Sequence, residues 1–227
     1  MSFNRNLLLI KENVDRAIKR SRYKNTVEIV AVTKTRSFQS IITAHNFGIK
    51  SIGENKIQEA EKKFQLLDEM PGLTKRFIGH LQTNKVKKCV HLFDSIDSVH
   101  SLKLIKKIST ESKKINKKTP VLLEINTSEE KQKKGFLKNS VEEILLCFEQ
   151  ENVEIRGLMT MAPFTNDEIL IRDSFAFLRQ LKTELSQILK TDKLKELSMG
   201  MSNDYEIAIE EGATQVRIGT TLFGPRT

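Results

Sequence analysis

The chain has no tryptophan, and only two tyrosines, two cysteines and four prolines among its 227 residues. Cys89 and Cys147 are too few and too far apart for a disulfide framework or a zinc site. That usage fits a reducing cytoplasm. No apolar run approaches the roughly 18 residues that a membrane span requires. The start, Met1-Ser2-Phe3-Asn4-Arg5, leads into an amphipathic pattern without a cleavage-like site, so no signal peptide is expected. Gly-x-Gly-x-x-Gly, Walker and His-Glu-x-x-His motifs are missing, as is the strand–Gly-x-Ser-x-Gly–helix elbow. Zinc-finger spacing and an aromatic-studded RNA-binding strand are also missing, so no nucleic-acid module is read. The net charge of +9 then reads first as a lysine-rich solvated surface, and second as a preference for anionic small molecules.

What is present is a globular composition, 38% hydrophobic and 30% charged. No Gly-Ser or Pro-rich linker divides it, and residues 1–227 read as one domain. After an amphipathic helix over 3–20 comes Val27-Glu28-Ile29-Val30-Ala31-Val32-Thr33-Lys34. Its near-continuous β-branched and apolar run predicts a strand covered on both faces. Seven more strands follow, over 49–54, 76–80, 91–96, 120–126, 153–160, 196–200 and 215–219. Helical patterns separate them. One begins at Ser37 and stops before Gly48; another, capped by Asn55, runs to about residue 70. Others cover 83–89, a stretch carrying Val99, Leu102, Ile105 and Ile108, and 137–150, 167–189 and 203–211. Eight strands alternating with helices call for parallel pairing, and a closed (β/α)₈ TIM barrel with an additional N-terminal helix is the natural solution. An open doubly wound sheet is the runner-up.

Barrel chemistry sits at the carboxyl ends of the strands. Lys34 stands at the first. It either marks where the strand meets water or is a partly desolvated amine able to form a Schiff base. Carboxylates are scarce at these ends, which argues against a divalent metal or a glycosidase pair. The turns after strands seven and eight carry Ser202 and Gly219-Thr220-Thr221. They suit a phosphate, or in Ser202 an ordinary helix cap. Arg217 interrupts the eighth strand. It answers either a buried ion pair or an acceptor on a ligand, such as a pyridoxal ring nitrogen. His80 is an acid, a base or a hydrogen-bonded wall.

In order along nearly the whole chain stand Ala31-Val32-Thr33-Lys34, Gly53-Glu54-Asn55, Phe77-Ile78-Gly79-His80-Leu81-Gln82-Thr83-Asn84-Lys85, and Asn126-Thr127-Ser128. Gly157-Leu158-Met159-Thr160-Met161-Ala162-Pro163, Leu197-Ser198-Met199-Gly200-Met201-Ser202 and Val216-Arg217-Ile218-Gly219-Thr220-Thr221-Leu222-Phe223-Gly224 complete the series. With these blocks the chain resembles the pyridoxal 5′-phosphate homeostasis proteins, whose barrel is similar to the N-terminal domain of alanine racemase. The resemblance implies pyridoxal 5′-phosphate as cofactor, held by Lys34 as an internal aldimine. It implies that Ser202, Gly219 and Thr220 bind the phosphate, that Arg217 faces the ring nitrogen, and that Asn55, His80 and Met199 line the pocket. Lys133 matches a family lysine in a mobile loop. Lys75-Arg76 depart from the family's usual Trp-His, at a strand start away from the site. The expected role is intracellular vitamin B6 homeostasis by a monomer, without substrate turnover and with at most transient contact with pyridoxal-phosphate-dependent apoenzymes. A weakly active amino-acid racemase is the alternative. The carrier is preferred because the chain ends after the eighth unit, without a racemase's second domain, and has no tyrosine at a strand end.

Overall fold

The computed structural model describes residues 2–67, 70–128, 130 and 133–225. It opens with helix α1 (Phe3–Arg20), strand β1 (Glu28–Val32), α2 (Phe38–Asn46), β2 (Ser51–Glu54), α3 (Ile57–Phe64) and β3 (Thr74–Phe77). A 3₁₀ turn, Thr83–Lys85, leads into α4 (Val86–Leu92), β4 (Ser95–Val99), α5 (Leu102–Lys114), β5 (Thr119–Glu124) and α6 (Val141–Cys147). The rest is β6 (Val153–Met159), α7 (Glu168–Ile188), β7 (Glu196–Met201), α8 (Tyr205–Glu210), β8 (Gln215–Ile218) and α9 (Thr220–Phe223). The strands are parallel and close in chain order, with β1 bonded to both β2 and β8. Closure makes this a (β/α)₈ barrel and excludes the open sheet.

Three elements depart from their local pattern. The fourth strand is Ser95–Val99, not 91–96, so Val99 ends the strand and the following helix, capped by Ser101, starts at Leu102. His91 and Leu92 complete α4, and Phe93 packs edge-on to Phe64 and Phe77, with ring centroids 5.5 and 5.2 Å away. An apolar pair that mimics a strand thus belongs to helix-to-barrel packing. The third helix starts at Ile57 with Lys56 at its cap, so Asn55 does not cap it. It ends at Phe64, and residues 68 and 69 of the expected extension lie outside the described residues. The sixth helix begins at Val141 rather than 137, because Phe136 pairs with Ile125 in an extra bridge and the chain turns before it can coil.

Helix α1 covers the flank that the short α9 leaves thin. Leu7, Ile10, Val14 and Ala17 are buried there, each of the larger ones contributing about 1.5–3 kcal/mol. Asn6 Nδ2 donates to Leu222 O at 3.0 Å, Asn13 Nδ2 to the Tyr205 hydroxyl at 2.8 Å, and the Arg20 guanidinium binds Glu206 and Glu210.

The barrel's interior is polar toward its amino-terminal end. Register places Arg76 beside Gly53 and Ser95. Its guanidinium reaches Glu28 Oε2 at 3.0 Å, Asp97 Oδ2 at 3.3 Å, Glu196 Oε2 at 3.5 Å and Ser51 Oγ at 3.2 Å. Gln215 Nε2 adds a bond to Glu196 at 2.7 Å, and Ser51 Oγ one to Glu28 at 2.6 Å. Arg76 is therefore an interior hub, tied to Glu28 and Glu196 at the starts of β1 and β7.

Candidate functional site

Because every strand is parallel, the eight carboxyl ends share one rim. Lys34 stands two residues past β1, half-buried. The peptide groups on either side of it are held. Lys63 Nζ donates to Thr33 O at 2.8 Å, Thr33 Oγ1 donates to Glu54 Oε1 at 2.6 Å, and the Thr35 N–H donates to Glu59 Oε1 at 2.5 Å. Thr35 takes a left-handed φ of 61°, uncommon for a β-branched residue.

Arg217 lies on β8 in register with Val30 and Met201. Nη1 donates to the carbonyl and hydroxyl of Ser198, both at 2.8 Å, and Nη2 to Thr160 O at 2.7 Å. Its Nε–H makes no hydrogen bond among the described residues. Burial presses the pKa of Arg217 below the usual guanidinium value, and Asp97, Asp204 and Glu124 pull it back up. Glu124, at the end of β5, is 6% exposed, and its carboxyl makes no hydrogen bond among the described residues. Burial raises it to about 7, against the pull of Arg217.

The turns after β7 and β8 are tied together. Ser202 Oγ accepts the Thr221 N–H at 3.3 Å, which leaves its own hydrogen to donate, and Thr221 Oγ1 donates to Ser202 O at 3.4 Å. Ser202 does not cap α8; Asp204 holds that place and accepts the Met201 N–H at 2.5 Å. The backbone N–H groups of Gly219 and Thr220 have no acceptor among the described residues. A Cβ on Gly219 would lie 3.4 Å from the Val32 side chain, so the turn sits close over β1.

Asn55 lies against the third-strand turn so closely that a Cβ on Gly79 would fall 2.2 Å from Asn55 O. Its Oδ1 is buried without a donor among the described residues. His80 is exposed and stacks on the half-buried His100 with ring centroids 4.7 Å apart. Met199 is fully buried in the hydrophobic core, one position from Ser198, whose hydroxyl faces inward to Arg217. It backs the strand rather than standing open on the rim. Lys133 Nζ bridges the loops after β5 and β6, donating to Ala162 O at 2.9 Å and pairing with Glu130 at 2.9 Å. Sequence reasoning missed Glu124, Lys63 and Ser198. Only Glu124 carried a local signal, as a carboxyl ending an otherwise apolar strand.

The residues fit a phosphorylated aldehyde with a basic ring nitrogen. There is an amine for the aldehyde, a cluster of unused N–H and O–H donors for the phosphate, and an unbonded N–H on a fixed cation for the nitrogen. Fold and rim together define a lysine-bearing (β/α)₈ barrel of the alanine racemase N-terminal-domain type. The model of that family, described as alanine racemase, N-terminal domain, matches residues 6–227. The pyridoxal phosphate homeostasis protein of Aquifex aeolicus is 39% identical over 222 residues, 96% of this chain and 95% of that protein. PipY of Synechococcus elongatus PCC7942, solved with PLP bound, superposes with a TM-score of 0.86 at 31% identity, over 98% of this chain and all of that one. An alanine racemase of Clostridium difficile shares the fold, with a TM-score of 0.80 at 16% identity over 98% of this chain and 56% of that one. The chain belongs to the alanine racemase N-terminal-domain family and, within it, to the pyridoxal phosphate homeostasis proteins.

Proposed function

We propose that the rim binds pyridoxal 5′-phosphate with Lys34 as its covalent anchor, and that the protein serves intracellular pyridoxal phosphate homeostasis. One observation carries this reading: a half-buried amine, two backbone N–H groups and a guanidinium N–H that have no acceptor among the described residues lie on one rim. When bound, the cofactor supplies an aldehyde for a primary amine and an electron-accepting ring. The chain's residues do the rest. Ser202, Gly219 and Thr220 would hold the phosphate through a hydroxyl and backbone N–H groups. Arg217 would offer an N–H to the ring nitrogen without surrendering the proton, because guanidinium does not deprotonate in proteins. Asn55 and His80 would border the ring.

Holding fits these residues better than turnover. Racemisation needs an acid and a base on opposite faces of the substrate. Neither tyrosine of the chain supplies one: the Tyr205 hydroxyl is engaged by Asn13, and the Tyr23 ring lies under Arg179. The two buried free cysteines accord with a reducing cytoplasm. We expect a monomer that meets pyridoxal-phosphate-dependent apoenzymes only transiently. The test is a visible spectrum of the purified protein before and after borohydride, followed by mapping of the labelled lysine. Label on Lys34, lost in Lys34→Ala, is the expected result. Label elsewhere refutes the anchor, and alanine racemisation at about 1 s⁻¹ or faster refutes the carrier.

A further inference from the structure

Lys63 is 7% exposed on a helix whose neighbouring lysine, Lys62, faces solvent. Its ammonium donates to Thr33 O and to Glu54 Oε1, both at 2.8 Å, and forms an ion pair with Glu59 Oε1 at 2.7 Å. Each acceptor leads back to the segment that carries Lys34. Thr33 O belongs to the peptide group preceding Lys34. Glu54 Oε1 also takes the Thr33 hydroxyl, and Glu59 Oε1 also takes the Thr35 N–H. The left-handed Thr35 costs on the order of 1–3 kcal/mol, so it persists only where its surroundings over-determine it. Glu54 Oε2 is buried without a donor among the described residues, so the network is built around one oxygen of that carboxyl, at the expense of the other.

We propose that Lys63 is a positioning residue for Lys34, clamping the peptide group before it directly and the one after it through Glu59, while Glu54 fixes the Thr33 side chain. Lys63 does not touch the ligand. It sets where the Lys34 amine stands when an aldehyde arrives, and so sets the rate of carbon–nitrogen bond formation rather than the grip on phosphate. Displacement of a reacting group by about 1 Å can slow a reaction by about a hundredfold. The inference rests on Lys34 being the anchor.

Two variants test it. Glu59→Ala removes the acceptor of Thr35 N–H at a site with side-chain exposure of 24%. The double variant Lys63→Met/Glu54→Gln removes the buried charges together, which is less disruptive than orphaning one of them. In the apo protein, the Thr35 amide is expected to exchange with deuterium at least about tenfold faster in both variants. Absorbance stopped-flow with added pyridoxal phosphate is expected to show at least about tenfold slower condensation. Competition by inorganic phosphate stays at the wild-type level, which separates a misplaced amine from a collapsed rim. Wild-type exchange and condensation rates in folded Glu59→Ala protein overturn the proposal, whether or not the double variant folds. If wild-type protein traps no label on Lys34 at all, the cofactor reading itself fails, and the two failures are distinct.

Discussion

Arg76 offers the sharpest test of how the barrel is held. Replacing it with methionine keeps the side chain's length and removes the cation that Glu28, Asp97 and Glu196 share. Their contributions differ with exposure. Asp97, at 1% side-chain exposure, has no water to fall back on, Glu196 at 21% has some, and Glu28 at 33% has more. Orphaning a buried carboxylate costs about 3–5 kcal/mol, and Asp97 sets that scale here. For a chain of this size the loss amounts to a drop of roughly 10 °C in Tm. The deficit also depends on pH. Burial already raises Glu196 above the ordinary carboxylate range, and Arg76 pulls it down. Without Arg76 the folded-state value climbs further. A carboxyl raised on folding destabilises above that value and is relieved as pH falls toward its unfolded pKa, so the deficit of Arg76→Met shrinks between pH 7 and pH 5. Urea unfolding at both pH values measures it. A penalty below about 1 kcal/mol that does not change with pH would refute the buried-pair reasoning. Adding Asp97→Asn should recover part of the loss, since the orphaned charge goes with it.

Other perturbations have equally definite outcomes. Gly79→Ala drives a methyl into the Asn55 backbone and should cost at least about 1–3 kcal/mol, whereas Gly48→Ala, at φ +83° with nothing within 4 Å, should cost only about 1 kcal/mol; thermal melts rank the two. Glu124 has a folded-state pKa near 7 and an ordinary unfolded one, so its neutral form stabilises below that range and the benefit is lost as pH rises through 7. Relative to Glu124→Gln, wild-type stability should therefore fall by up to about 3 kcal/mol between pH 5 and pH 8, as read by urea unfolding across that range. Lys34→Ala should abolish the borohydride-trapped label while leaving the melting temperature within a few degrees, because the clamp of Lys63, Glu54 and Glu59 acts on the flanking peptide groups.

The sequence carries the barrel well, because most strands and helices declare themselves locally, and the pairing of β1 with β8 decides the closure that counting leaves open. It carries the polar interior poorly. Glu28, Arg76, Asp97 and Glu196 lie on four different strands, and nothing near any one of them signals the others. The apolar look of β1 points to burial on both faces, yet Glu28 at its start belongs to an ionic layer. Lys63 shows the same limit at the rim. In a helix with Lys62 beside it, it reads as solvated, and only the packing of α3 on β1 and β2 makes it a buried donor. The fourth strand slips because Leu92-Phe93 is as apolar as a strand core, while the true strand is polar at Ser95 and Asp97, which face the interior. Local pattern reports how much of a segment is covered. It does not report what covers it.

The two buried arginines show why the rim, and not the opposite end, is suited to an anion. Arg76 is answered by carboxylates, so its charge is spent within the barrel. Arg217 is answered directly by two carbonyls and a hydroxyl, all neutral. Neutral acceptors satisfy the donors of a guanidinium without cancelling its charge. The carboxyls that act on Arg217 from further off are Asp97, then Asp204, then Glu124, and burial raises Glu124 to about 7. Lys34 and the backbone N–H groups of Gly219 and Thr220, which have no acceptor among the described residues, lie at the same carboxyl end. A salt bridge in place of those neutral contacts would hold Arg217 equally firmly and remove the field that draws an anion in. If the rim takes a phosphate as proposed, inorganic phosphate is expected to bind more weakly as pH rises through 7 and Glu124 ionises, and an unchanged affinity in Glu124→Gln relative to wild type at pH 8 would refute that link.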